Sequence, residues 1–357
     1  MIGARLQSWT HGYTAPLCGK PDHLNRSPYN VPGLVMNNQL PRRISCFIFV
    51  WFAYNIFALL SLIRSVPAPT PEDLQTPKNK PKHLLRSSHG STTTTTTVAL
   101  LIPVRSRHGT THVSELSIFQ ELLPSFFDTI QCDNSLFDIR FVLYVGFDAG
   151  DEFWDDPNNR EGVYSTYEAM WSRTGHKYPA VQNMLPPTLV IKRYVGMLSA
   201  PCWIWNQLFT DAYHSPNCHI DYFMQINDDT RILSTCWAHD LLTVLDKLPY
   251  RLGVVGPMDI QNTKVLTQAM VARTHFDIFE TLYPHDFKNW YSDDWLSMVY
   301  NQGRTYMVDK VKMLNTNSQG TRYKQYTKIK TMLHLQVDQG RRQIERWLEQ
   351  QREAGDR

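Results

Sequence analysis

The chain has 357 residues, 42% of them hydrophobic and 12% aromatic, enough for one substantial core or two modest ones, which excludes a chain disordered throughout. Its 36 basic and 33 acidic side chains leave a net charge of only +3, and the basic residues are scattered. A nucleic-acid partner is therefore set aside.

Residues 1–43 read as a short cytoplasmic tail ahead of ISCFIFVWFAYNIFALLSLI, Ile44 to Ile63, an uncharged run bracketed by Arg42-Arg43 and Arg64. About 20 such residues at 1.5 Å each cross a bilayer core of roughly 30 Å. The run starts too far from the N-terminus for a cleaved signal peptide, and no small-residue cleavage pattern follows it, so it predicts a retained signal anchor in a lipid bilayer. Basic residues flank both ends, and charge bias leaves the orientation open. Residues 64–97, rich in Pro, Ser, Thr and Lys without an apolar period, read as an extended stem. Tail, span, stem and globular part together predict a type II membrane protein facing the secretory lumen.

From Val98 onward, short apolar runs alternate with longer amphipathic ones, which predicts an α/β domain with a mostly parallel sheet over 98–338. The strand candidates are Val98 to Val104, Ile139 to Val145, Thr188 to Ile191, Asp221 to Ile226 and Gly253 to Gly256. Helical spacing of Leu116, Phe119, Leu122, Leu123 and Phe126 predicts a helix after the first strand. Further helices are expected over Gly196 to Tyr213, Trp237 to Leu248 and Thr274 to Leu282. Within the C-terminal segment 339–357, Gln339 to Ala354 reads as a charged helix with Ile344, Trp347 and Leu348 on one face. Four cysteines of the globular part, Cys132, Cys202, Cys218 and Cys236, allow two disulfides in three connectivities; their spacing has no CxxC pattern and argues against zinc.

Open α/β sheets bind ligands beyond the carboxyl ends of their strands. That rule groups Arg105 and Arg107 after the first strand, Asp148 after the second, and Asn227-Asp228-Asp229 after the central one. Arginine forks suit phosphate, a lone carboxylate suits ribose hydroxyls or a ring N–H, and paired carboxylates suit a hard divalent cation. These are the parts of a nucleoside-diphosphate site.

The stretch IDYFMQINDDTRI resembles the DxD region of the GT-A glycosyltransferases, and the order of anchor, stem and α/β domain resembles their Golgi members. The resemblance implies a GT-A, Rossmann-like three-layer domain and a nucleoside-diphosphate sugar as donor. It also implies Mn²⁺ or Mg²⁺ held by Asp229, with Asp228 on the metal or the ribose. Asn227 stands where the strict pattern has Asp. Downstream, FKNWYSDDWLSMVY sets Asp293 and Asp294 among aromatic residues, the mixture that suits a sugar acceptor: Trp290 and Trp295 for stacking, a carboxylate to take the proton of the attacking hydroxyl. Arg322 and Lys324 are candidate diphosphate partners and His334 a candidate third metal ligand. Gln268 and Arg273 are candidates to face the cleft, with Met270 and Phe276 in the core. Two other classes compete: a membrane-anchored metal-dependent phosphohydrolase, for which Pro103-Val104-Arg105 lacks the acidic nucleophile after the first strand, and a non-catalytic carbohydrate-binding protein, which Asn227 would suit.

Overall fold

A computed structural model describes residues 95–132, 137–178, 181, 184–316 and 330–355. The chain divides into two units, Met1–Ser87 and Ser88–Arg357. The expected tail and membrane span, most of the stem, and Arg322 and Lys324 lie outside the described residues. Among the described residues no helix is long and apolar enough to cross a membrane.

Strand β1 (Thr95–Pro103) is buried from its third residue onward. Such an unbroken apolar run marks a parallel strand covered on both faces. It pairs in parallel with β2 (Asp138–Asp148) and β4 (Tyr222–Gln225), and β2 with β3 (Thr188–Tyr194). Beyond β4 the sheet reverses. Strand β7 (Ala269–Ala272) runs antiparallel between β4 and β6 (Val254–Asp259). β6 pairs in parallel with β8 (Thr305–Asn315), and β5 (Thr230–Ile232) closes the edge antiparallel to β8. The order is β3-β2-β1-β4-β7-β6-β8-β5, a mixed sheet with four parallel and three antiparallel pairings where a mostly parallel one is expected.

Alternation along β1 divides the core into two layers. Val98, Leu100 and Ile102 pack under helices α1 (Leu123–Thr129), α2 (Pro157–Lys177) and α4 (Trp237–Leu245). Ala99 and Leu101 face α3 (Pro201–Tyr213), α5 (Thr274–Phe279), α6 (Ser292–Val299) and α7 (Lys330–Gly355). Helix on sheet on helix gives three layers.

Several helix bounds differ from the periodicity. α3 begins at Pro201 rather than Gly196, because Gly196 (φ +80) and Ser199 (φ +57) are left-handed and only then does Pro201 supply a preset first turn. α4 stops at Leu245, and α5 stops at Phe279 before Glu280 at φ +58. The C-terminal helix starts at Lys330, ahead of the expected Gln339. It lies close on α6 at Gly340, where an added Cβ would stand 2.5 Å from Val299 Cγ2. Only glycine fits that approach, and its cost inside a helix, about 1 kcal/mol, is offset by the packing it permits.

Among the described residues one disulfide forms, Cys132–Cys236, between residues 104 apart, while Cys202 and Cys218 remain thiols. Burial pushes the Cys202 thiol up to about 12, so it is inert at neutral pH. Loop closure over such a span stabilises the fold by about 4–5 kcal/mol. Cys132→Ser should therefore lower the urea midpoint, and reductant should bring the wild type down to the same value. A wild-type midpoint indifferent to reductant would count against the bridge.

Candidate functional site

At the carboxyl ends of β1, β2 and β3, two carboxylates tie three loops together. Ser106 donates to Asp151 through its N–H (2.8 Å) and its hydroxyl (2.6 Å), fastening the loop after β1 to the loop after β2. Asp148 Oδ1 accepts the N–H of Met197 at 2.7 Å, fastening the end of β2 to the loop after β3. Between them opens a cleft of about 390 Å³, lined among others by Arg105, Asp148, Gly150, Leu198 and Ile204. Arg105 and Asp148, singled out from separate strands, thus share one cavity. Arg107 is exposed and does not line it. The N-terminus of α3 also faces the cleft, but Cys202 N–H bonds Lys288 O (3.0 Å), and Trp203 and Ile204 N–H both turn back to Ala200 O. With Pro201 at its first position, the helix has no spare donor there for an anion.

The acidic turn follows β4. Ile226 N–H bonds Leu101 O at 3.2 Å, and Thr230 N–H closes the turn on Asn227 O at 3.2 Å. On its far side Thr316 donates to Asp229 O through both N–H (3.0 Å) and hydroxyl (2.9 Å). Asp228 and Asp229 are 2% and 5% exposed, so this is no open surface loop. Burial of adjacent carboxylates is expensive without compensating charge or donors.

The second acidic motif arrives beside the first. Gln225, two residues before Asn227 and fully buried, donates through Nε2 to Thr267 O (3.0 Å) and Asp293 Oδ1 (3.4 Å). Residues 68 apart in sequence are thereby joined at the end of β4 and the first turn of α6. Tyr291, left-handed at φ +67, turns the chain into α6 with Asp293 and Asp294 at its start, where the helix dipole favours negative charge. Burial outweighs that dipole at Asp293: desolvation, then repulsion from Asp294 and Asp259, opposed by hydrogen bonds from Gln225 and Ser292, raises its carboxyl to about 7.

Trp290 is 40% exposed, on a segment tied to the cleft rim by Asn289 Nδ2 donating to Ser199 O (3.1 Å). Trp295 corrects the expectation of an acceptor platform. It is 1% exposed and packs edge-on against Phe279, so it belongs to the core. His334 stands exposed on α7, and among the described residues no three metal-binding side chains are grouped, so the expected set of Asp228, Asp229 and His334 is not assembled. Gln268 is buried at the head of β7. Arg273 sits at that strand's other end, donating to Ile220 O (2.9 Å) and stacking 3.8 Å over Tyr213. An antiparallel strand separates them by its whole length, so only Gln268 is on the acidic turn's side. Met270 is core, and Phe276 packs against Tyr213, both as expected. Gln225, Asp259 and Thr267 were not singled out, although Asp259 ends the parallel strand β6 and falls under the same strand-end rule.

No protein family and no curated protein matches this sequence. Similar solved structures include S. aureus TarS 1-349 in complex with UDP, at 10% identity and TM-score 0.36, covering 60% of each chain. UDP-glucose pyrophosphorylase complexed with UDP-glucose aligns at 10% identity and TM-score 0.37, over 63% of this chain and 95% of that one. A cytidylyltransferase from Leptospira borgpetersenii aligns at 11% identity and TM-score 0.34, over 60% and 76%. The aligned part of this chain spans less than two thirds of the TarS fragment. The chemistry of the site is read from its own residues.

The Asp293 carboxyl, near 7 when folded and near 3.8 ordinarily, makes the folded chain hold an extra proton between those values. Stability therefore falls as pH rises through that window. Asp293→Asn should flatten the slope and exceed the wild type at pH 8 by roughly 1–3 kcal/mol, read from urea midpoints at pH 5 and pH 8. Equal slopes in the two proteins would exclude a buried, titrating Asp293.

Proposed function

We propose that this chain is a metal-dependent glycosyltransferase that moves a sugar from a nucleoside-diphosphate sugar to a hydroxyl of a glycan or glycoconjugate. In this reading residues 44–63 anchor it as a single-pass type II protein of the Golgi or another secretory membrane, with 98–338 in the lumen. The observation that carries the proposal is the Gln225–Asp293 contact, which sets the second acid pair beside the Asp228–Asp229 turn on the sheet edge that also bears the Arg105–Asp148 cleft.

Each part has a role that its chemistry suits. Asp148 keeps one oxygen on Met197 N–H, and its other is suited to a ribose hydroxyl or a ring N–H of the nucleotide. Arg105 supplies forked donors, with Arg322 and Lys324 as further partners of the diphosphate. The donor set of the acidic turn fits a hard cation: Asp229 with Asp228 offers only oxygen, and Mn²⁺ or Mg²⁺ commonly takes one or two protein carboxylates and completes its shell with water and phosphate. When bound, such a cation neutralises charge on the departing diphosphate. Trp290 offers a ring face to the acceptor sugar. Asp293 or Asp294 takes the proton from the acceptor hydroxyl as its oxygen bonds the anomeric carbon and the bond to the diphosphate breaks.

Heat protection of the purified full chain tests the donor side. UDP or GDP with Mn²⁺ should raise the midpoint by several degrees at ligand concentrations about 100-fold above Kd. Asp229→Ala should abolish that rise; protection that ignores the metal, or survives this substitution, would overturn the donor assignment. Asp293→Asn or Asp294→Asn should lower kcat of sugar transfer by about 10²–10⁴ with nucleotide protection intact. Normal transfer by both variants would remove the acid pair from catalysis.

A further inference from the structure

The acidic turn carries the chain from β4, in the middle of the sheet, to β5 at its far edge. Backbone bonds hold the turn at its ends, through Ile226 N–H on Leu101 O and Thr316 N–H on Asp229 O, and the named strands leave residues 227–229 between them. A run of buried side chains does reach the turn. Thr230, directly after Asp229, has its Oγ1 3.1 Å from Gln268 Nε2. Gln268 Oε1 lies 2.8 Å from Thr267 Oγ1, which in turn lies 2.9 Å from Asp259 Oδ2. All four side chains are buried. Asp259 is itself held through Oδ1 by the N–H groups of Gln261 (3.0 Å) and Asn315 (3.5 Å).

Hydrogen counting fixes the sense of this run. Thr267 has one hydroxyl hydrogen and two acceptors in reach, Asp259 and Gln268 Oε1. Turning the Gln268 amide over resolves the conflict: Nε2 then donates to Thr267, Oε1 accepts from the Thr230 hydroxyl, and Thr267 donates to Asp259. Every bond then points toward one carboxylate. Buried networks that satisfy all their members rigidify what they connect. Close packing adds to this, since a Cβ on Gly256 of β6 would collide with Gln268 O.

We infer that Thr267 and Gln268 are positioning residues, forming with Thr230 a buried hydrogen-bonded strut footed on Asp259 that fixes the Asp228–Asp229 turn for a divalent cation. The inference rests on the metal-binding reading of that turn. A strut that served only the fold would alter stability and leave metal affinity alone.

Mn²⁺ alone is the probe, titrated into the full chain with free ion followed by electron paramagnetic resonance, and Asp229→Ala sets the background. Thr267→Val and Gln268→Met should each weaken Mn²⁺ binding at least 10-fold, while Thr267→Ser, which keeps the hydroxyl, should stay within about twofold of wild type. Variants with lower thermal midpoints but unchanged Mn²⁺ affinity would overturn the positioning role and leave the metal site standing. A wild type that binds no Mn²⁺ above the Asp229→Ala background would overturn the metal reading itself, and this inference with it. Should Thr267→Val not fold, Thr230→Val at the other end of the strut decides by the same criteria.

Discussion

Carboxylates buried or half-buried along one edge of a sheet must each be supplied with donors or opposite charge, and this requirement organises the structure around its carboxyl edge. Asp148 takes the Met197 N–H, Asp151 takes Ser106, Asp259 takes Thr267, and Asp293 takes Gln225. All but the Asp259–Thr267 bond cross between segments 45 to 68 residues apart in sequence. The acids therefore bring together the loops after β1, β2 and β3, the acidic turn, and the start of α6. Where donors fall short of the desolvation cost, as at Asp293, the proton affinity of the group rises instead.

The opposite end of the sheet adds two further kinds of contact. Arg273 is satisfied by backbone carbonyls and the Tyr213 ring, and a covalent bridge joins Cys132 to Cys236. Acids there are matched as well, Asp221 by the Thr97 N–H (2.8 Å) and Asp246 by the Tyr222 hydroxyl (2.8 Å).

The parallel half of the sheet was legible because β1, β2 and β4 are apolar on both faces, and a run such as VALLIPV admits few other readings. Of the reversed half only β6 was, as Gly253 to Gly256. β5 and β7 have only 3 and 4 residues, too few for a period, and β8 carries Asp309, Lys310 and Lys312 between its buried positions. α2 was missed for the converse reason: of its 21 residues only Val163, Tyr167 and Thr174 are buried, so its apolar stripe is faint. Within the site, chemistry-bearing types at strand ends were visible. Which of two neighbouring aromatics is core was not, because Trp290 and Trp295 differ only in how the left-handed Tyr291 aims the chain between them. Polar side chains inside strands, such as Gln225, give no local signal, since their partners come from other segments.

The contact at Gly340 also sets an order of assembly. α6, which bears the acid pair, is seated by α7: Gly340 lies against Trp295 and Val299, and Arg341 Nη2 donates to Met298 O at 2.8 Å. The residues lining the cleft fall within 104–204 and leave the ribosome about 125 residues before α7 does, whereas the acidic turn waits for Gln268 and Thr316 to hold it. During synthesis the two halves of the site are thus separated in time. The cleft is thus complete in sequence before either acidic motif is firmly placed.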